Sequence, residues 1–157
     1  MKIRQAIPDD LQTVYEITQQ TIFSVYPHYY PRGAVEYFSA HHSKGSIADD
    51  IAAGRVYLGE GRGEAVGTVT VVRNEINRLF VLPQHQGKGF GSALFTFAES
   101  LIAAEYAEAV LDVSLAAKTF YLRRGYKEIR YTALRTENGD YLCYDTMEKQ
   151  LRTEESE

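Results

Sequence analysis

The spacing of apolar residues divides the chain into a helical first third and a mixed remainder. Residues 2–6 suit a short strand. Pro8, Asp9 and Asp10 then lead into apolar positions at Leu11, Val14, Tyr15 and Ile22. Proline and acidic residues favour a helix start, where a missing N–H costs nothing and the helix dipole attracts negative charge. The run Tyr-Pro-His-Tyr-Tyr-Pro over 26–31 interrupts that helix, because proline cannot occupy a helix interior. Residues 34–40 suit a second short helix, and 47–53 a further helical turn that stops at Gly54.

From Arg55 the period changes. Residues 56–59 and the β-branched run 65–72 read as two strands around a Gly-Arg-Gly turn, and 75–82 as a third that ends at Pro83. A helix follows with Phe90, Leu94, Phe97, Ala98 and Leu101 on one face. Residues 109–113 suit a strand, and Ser114 onward a helix that closes at Gly125. Two last strand-like runs, 129–134 and 141–147, flank Asn138-Gly139, a strong hairpin signal. The order β-α-α-β-β-β-α-β-α-β-β describes a central mixed sheet with helices on both faces.

A chain of 157 residues with 45% hydrophobic and 24% charged residues is ordinary globular material, expected as one domain over residues 1–151 with a charged tail at 152–157. The formal net charge of −4 argues against nucleic acid as the main partner. No apolar stretch reaches the length of a membrane span, and the N-terminus lacks a signal-like apolar region. With a single cysteine, Cys143, expected as a small buried residue, a cytoplasmic protein is the default expectation.

The most informative stretch runs from Leu79 to Ser92. A strand ends, glycines permit tight turns, and a helix begins at once, so backbone N–H groups gather into an anion site. Gly87-Lys88-Gly89 does not fit a Walker A loop, and Gly87-x-Gly89-x-Gly91 has the wrong spacing for a dinucleotide fingerprint. Gln86, Gly89 and Gly91 meet the pattern Gln/Arg-x-x-Gly-x-Gly. Downstream, Ala117, Phe120, Tyr121, Gly125 and Tyr126 meet Asn-x-x-Ala-x-x-Phe-Tyr-x-x-x-Gly-Phe/Tyr, with Ser114 in place of the asparagine. The two motifs in this order resemble the GNAT acetyltransferases.

The resemblance implies the GNAT acyl-CoA N-acyltransferase fold, an α/β (α+β) architecture with a mostly antiparallel mixed sheet. The fourth and fifth strands splay, and the pantetheine arm of acetyl-CoA lies between them. It implies backbone contacts to pantetheine from Leu79, Phe80 and Val81, with an N–H near Val81 facing the thioester oxygen. Gln86, Gly87, Lys88, Gly89, Phe90, Gly91 and Ser92 would enclose the pyrophosphate. Ser114, Ala117, Phe120 and Tyr121 would complete the cofactor site. Tyr121 is the candidate general acid and Glu75 the candidate base, with residues 75, 77, 79 and 81 expected on one strand face.

Tyr26, His28 and Tyr29 are candidates for the acceptor pocket, since aromatic rings attract cationic amines. Tyr30, His41 and His42 lie in the same segment. Adjacent His41 and His42 should diverge on a helix, and the family chemistry needs no metal. The acceptor is expected to be a small-molecule or peptide amine, and a homodimer is an expectation from the edges of the last hairpin. A non-catalytic acyl-CoA sensor, or an enzyme acting on protein N-termini or lysines, remains open.

Overall fold

The computed structural model describes residues 1–152. It holds a seven-stranded sheet in the order β1-β2-β3-β4-β5-β7-β6. The strands are β1 (Lys2–Gln5), β2 (Val56–Gly61), β3 (Glu64–Val72), β4 (Glu75–Val81), β5 (Glu108–Val113), β6 (Lys127–Arg135) and β7 (Tyr141–Gln150). Helices α1 (Leu11–Val25), α2 (Arg32–His41) and α3 (Lys44–Ala52) precede β2. Helix α4 (Phe90–Glu105) joins β4 to β5, and α5 (Lys118–Leu122) joins β5 to β6. The expected mixed sheet with helices on both faces is therefore present, with one helix more than the expected order because residues 44–52 form a full α3.

One core lies under α1–α3, where Val14, Ile22 and Ile47 meet Val56, Leu58, Phe80 and Leu142 of the sheet. The other lies under α4, where Leu94, Phe95, Ala98 and Ile102 meet Val69, Ile76, Leu111 and Met147. The central strand β3 is buried on both faces, which explains its β-branched run. The buried stripe of α4 is Leu94, Phe95, Ala98 and Ile102; the spacing placed Leu94 and Ala98 correctly, but Phe90, Phe97 and Leu101 are only half-buried. That helix is apolar around most of its girth, so Phe97 finds a second partner in Tyr57, with ring centroids 4.9 Å apart.

Every neighbouring pair of strands is antiparallel except β4 and β5. Those two touch in register only at Glu75 and Val110. Beyond that point β5 keeps its pairing with β7, and the β4 edge is left open.

Two expected boundaries move. Ser114 does not cap a helix; its carbonyl accepts the Ala117 N–H at 3.1 Å in a turn, and α5 starts at Lys118. Arg152, expected in the charged tail, donates from Nε to the Ala103 carbonyl at 2.9 Å near the end of α4. The rest of that expected tail, 153–157, lies outside the described residues. Cys143 on β7 is half-buried rather than buried. Among the described residues no helix is long and apolar enough to cross a membrane.

Candidate active site

The divergence of β4 from β5 opens a cleft of about 370 Å³. Ile76–Val81 line one side, and Leu111–Ser114 with Ala116, Ala117 and Tyr121 line the other. Because β4 has lost its neighbour here, its backbone N–H and C=O groups face the cleft as an unpaired strand edge, which can accept an extended ligand as an added strand.

The glycine loop closes one end. Gly87 and Gly89 have φ of 74° and 86°, left-handed values that a side chain disfavours. Gly89 caps α4, and the first intrahelical bond runs from Ala93 N–H to the Gly89 carbonyl at 3.1 Å. The N–H groups of the first turn thus have no helical acceptor, and no acidic side chain occupies that turn. Lys88 is exposed beside them. Gln86 folds back, its amide donating to the Val81 carbonyl at 3.0 Å, so it ties the loop to the end of β4. The Thr21 hydroxyl reaches the same carbonyl at 3.3 Å, which leaves that group no free role toward a ligand.

Arg124 completes this end, and the motif reading passed over it. It donates to the Ser92 hydroxyl and to the Phe120 carbonyl, and its guanidinium stacks 3.4 Å over the Phe120 ring. The available signal was a basic doublet, Arg123-Arg124, just before the motif glycine. Phe120, expected to touch the cofactor, does not line the cleft. It packs edge-on to Phe95 with centroids 5.6 Å apart.

Tyr121 is 6% exposed and held by Phe95, Phe120 and Tyr126 at centroid distances of 5.5, 5.1 and 5.9 Å. Its hydroxyl has no hydrogen-bond partner within the described residues, yet no fully buried side-chain polar atom there lacks one. The hydroxyl therefore reaches open space, in the cleft that Tyr121 lines. Burial pushes this phenol well above its ordinary range, so it stays protonated at physiological pH. Across the cleft, Tyr26 is buried beside Ser114, and Tyr30 accepts the Leu115 N–H at 2.7 Å. These contacts tie the end of α1 to the β5–α5 turn.

Several expected positions move. The β4 alternation breaks at a bulge: Thr70 pairs with Asn77 and Thr68 with Phe80, so Val69 alone faces Arg78 and Leu79. Arg78 takes φ of 46° to allow this. One extra residue reverses the facing, so Glu75 and Asn77 share a face with Phe80, while Leu79 and Val81 join the α4 side. Glu75 is exposed at the apex, where β4 still pairs with β5, and is absent from the cleft lining. The carboxylate that does line the cleft is Asp112 of β5, which accepts from the Thr146 hydroxyl at 2.7 Å. Of the acceptor candidates, Tyr26 lines the cleft, but His28 and Tyr29 turn outward at the exposed end of the 3-10 turn Tyr26–His28.

The α2 side contributes Tyr37, Phe38, His41 and His42. The two histidine rings meet edge to face at 5.1 Å rather than diverging, because His42 leaves helical geometry with ψ of 55°. His42 and Arg78 belong to one half-buried polar cluster. Arg78 donates from Nε to His42 Nδ1 at 3.1 Å and from Nη2 to the Ser46 hydroxyl at 2.8 Å, and pairs with Asp50.

A family model described as "Acetyltransferase (GNAT) domain" matches residues 52–128, the span that carries β2 through α5 and both sides of the cleft. Over that span the chain matches the GNAT acetyltransferases. The chain is 26% identical over 131 residues to the uncharacterized N-acetyltransferase YafP of Escherichia coli (strain K12), covering 83% of each chain. Its fold matches that of a GCN5-related N-acetyltransferase from Rhodopseudomonas palustris with a TM-score of 0.87, at 23% identity over 95% of this chain and 94% of that one. It also matches YncA, a putative acetyltransferase from Salmonella typhimurium with its cofactor acetyl-CoA. There the TM-score is 0.74 at 18% identity over 100% and 97% of the two chains.

Proposed function

We propose that the protein is an N-acetyltransferase that passes the acetyl group of acetyl-CoA to a primary amine by direct attack in a ternary complex. The observation that carries this reading is the continuity of an open β4 edge with the unpaired N–H groups at the start of α4. An extended arm on the strand edge and a diphosphate on the helix start require that arrangement in that order. Acetyl-CoA would lie with its pyrophosphate among Gly87, Gly89, Gly91 and Ser92, and Arg124 beside it. Water passes the ammonium proton to Asp112. The neutral nitrogen attacks the thioester carbon, and backbone N–H groups at the Arg78–Leu79 bulge face the oxyanion, which replaces Val81 in that part. As the C–S bond breaks, Tyr121 gives its proton to the sulfur, and the proton that the new amide nitrogen sheds returns to the phenolate through water.

The cofactor part is tested by melting curves in acetyl-CoA. At 100 times its dissociation constant a ligand stabilises by about 2.7 kcal/mol, or roughly 5–10 °C for a chain of this size. Gly89→Glu places a carboxylate in the loop and should abolish that rise. Gly89→Ala carries the same backbone strain without the charge and should keep part of it. A wild-type protein that shows no rise at millimolar acetyl-CoA sinks the assignment.

The base is tested separately. Asp112→Asn should lower kcat/KM about 10²-fold, in the range of a lost general base, with little change for Glu75→Gln. The reverse outcome returns the role to Glu75.

A further inference from the structure

Arg78 and His42 fix more than local packing. Arginine has donors and no acceptor, so the ring nitrogen it contacts must carry a lone pair. That nitrogen is Nδ1, at 3.1 Å from Arg78 Nε. The uncharged ring therefore carries its proton on Nε2. Nε2 has no hydrogen-bond partner among the described residues, yet no fully buried side-chain polar atom lacks one there. It opens on the cleft that His42 lines. The ring cannot swing away: Phe80 holds it edge to face at 5.8 Å and His41 at 5.1 Å.

We propose that His42 Nε2–H is a specificity-determining donor for the acceptor, and that the preferred acceptors are primary amines that also carry a carbonyl or carboxylate oxygen. An acceptor with such an oxygen satisfies the donor, whereas a plain alkyl or arylalkyl amine leaves it desolvated and unpaired, the situation from which enzymes draw strong discrimination. The aromatic wall of Tyr26, Tyr37 and Phe38 beside it suits an apolar side group on the same molecule. This rests on the acetyl-transfer reading above. His42 is excluded as the base, since the nitrogen with the lone pair is occupied by Arg78.

The groups that face His42 agree with a neutral ring. Arg78 approaches from β4 and His41 from α2, and the carboxylate of the same cluster, Asp50 of α3, is engaged by Arg78. Burial, then Arg78 and His41, push His42 from 6.5 down to about 3. The unfolded chain takes up a proton below pH 6.5 that the folded ring refuses, so stability is complete above pH 6.5 and falls as the pH drops toward 3.

The test compares 2-phenylethylamine with phenylalaninamide, two primary amines with the same ring, in wild type, His42→Phe and His42→Gln. The amide should be preferred by wild type in kcat/KM, and His42→Phe should reduce that preference about tenfold, the worth of one good hydrogen bond, through the acceptor KM. The ratio of ratios cancels the difference in amine basicity. His42→Gln keeps an N–H donor and should restore part of the preference. Equal ratios in wild type and His42→Phe, or no turnover of the amide by an enzyme that acetylates the plain amine, overturn the proposal.

Long-range proton–nitrogen spectra of the free protein supply a readout without activity. They should show one histidine, lost in His42→Phe, as the uncharged Nε2–H tautomer from pH 5 to 8. An Nδ1–H tautomer, or a ring that titrates near 6.5, overturns the proposal even if acetyl-CoA binds. A failure of acetyl-CoA to raise the melting temperature of any variant would instead locate the fault in the acetyl-transfer reading.

Discussion

Tyr121→Phe should lower kcat by about 10²-fold or more, the usual loss when a positioned acid is removed, while the rise in melting temperature caused by acetyl-CoA stays as in wild type. The two readouts separate because the change deletes one oxygen and keeps the ring. Phe95, Phe120 and Tyr126 hold that ring from three sides. Among the described residues the hydroxyl has no hydrogen-bond partner whose loss would unsettle the fold. Acetyl-CoA should accordingly bind the variant as before, and only the step that creates thiolate should suffer. The pH profile sharpens the test. Burial raises the Tyr121 phenol above its ordinary value, so it remains protonated through pH 10 and adds no falling limb below that. Tyr121→Phe should therefore lower the whole profile without shifting its limbs. Unchanged kcat, or a variant that no longer responds to acetyl-CoA, would reduce Tyr121 to a wall of the cleft.

Where one pattern governed the structure, the sequence was readable. The β-branched run of β3 is buried on both faces, and Gln86, Gly89 and Gly91 stand at the helix start that their spacing indicated. The misreadings share a cause: each depends on a departure from strict period. Strand alternation placed Glu75 with Leu79 and Val81, and a single bulge undoes it. Nothing in Ile-Asn-Arg-Leu-Phe announces a bulge, because the arginine that takes the left-handed conformation is stabilised by Asp50 and Ser46, 28 and 32 residues away. In α4, apolar residues on nearly every side hid which face carries Phe95. In the acceptor wall, an aromatic run could not say that Tyr26 turns in while His28 and Tyr29 turn out, since that depends on one 3-10 turn. Asp112 was invisible for a related reason. It becomes a cleft residue only because β4 leaves its side.

The bulge also sets the larger stability prediction. Arg78→Ala should destabilise the protein by roughly 3 kcal/mol, the cost of breaking a mostly buried ion pair from one side. For a chain of this size that is roughly 6–12 °C in melting temperature. The Arg78 side chain is 7% exposed, and among the described residues its removal leaves Asp50 with only the longer contact to Arg55, at 3.4 Å. Arg78→Lys should recover little, because one ammonium cannot reach Asp50, Ser46 and His42 as the guanidinium fork does. Arg78→Gly addresses the backbone. Glycine accepts the φ of 46° without strain, whereas alanine does not. If the bulge is built into β4 whatever the side chain, Arg78→Gly should be about 1 kcal/mol more stable than Arg78→Ala. If the side-chain contacts alone impose it, the strand relaxes to regular pairing in both variants and alanine becomes the more stable, since glycine weakens a strand interior. Regular pairing would also return Leu79 to the face of Glu75 and remove the irregular N–H groups from the cleft. In that case both variants should lose kcat well beyond what their melting temperatures explain. Retained kcat in a relaxed strand would instead mean that the oxyanion is held elsewhere.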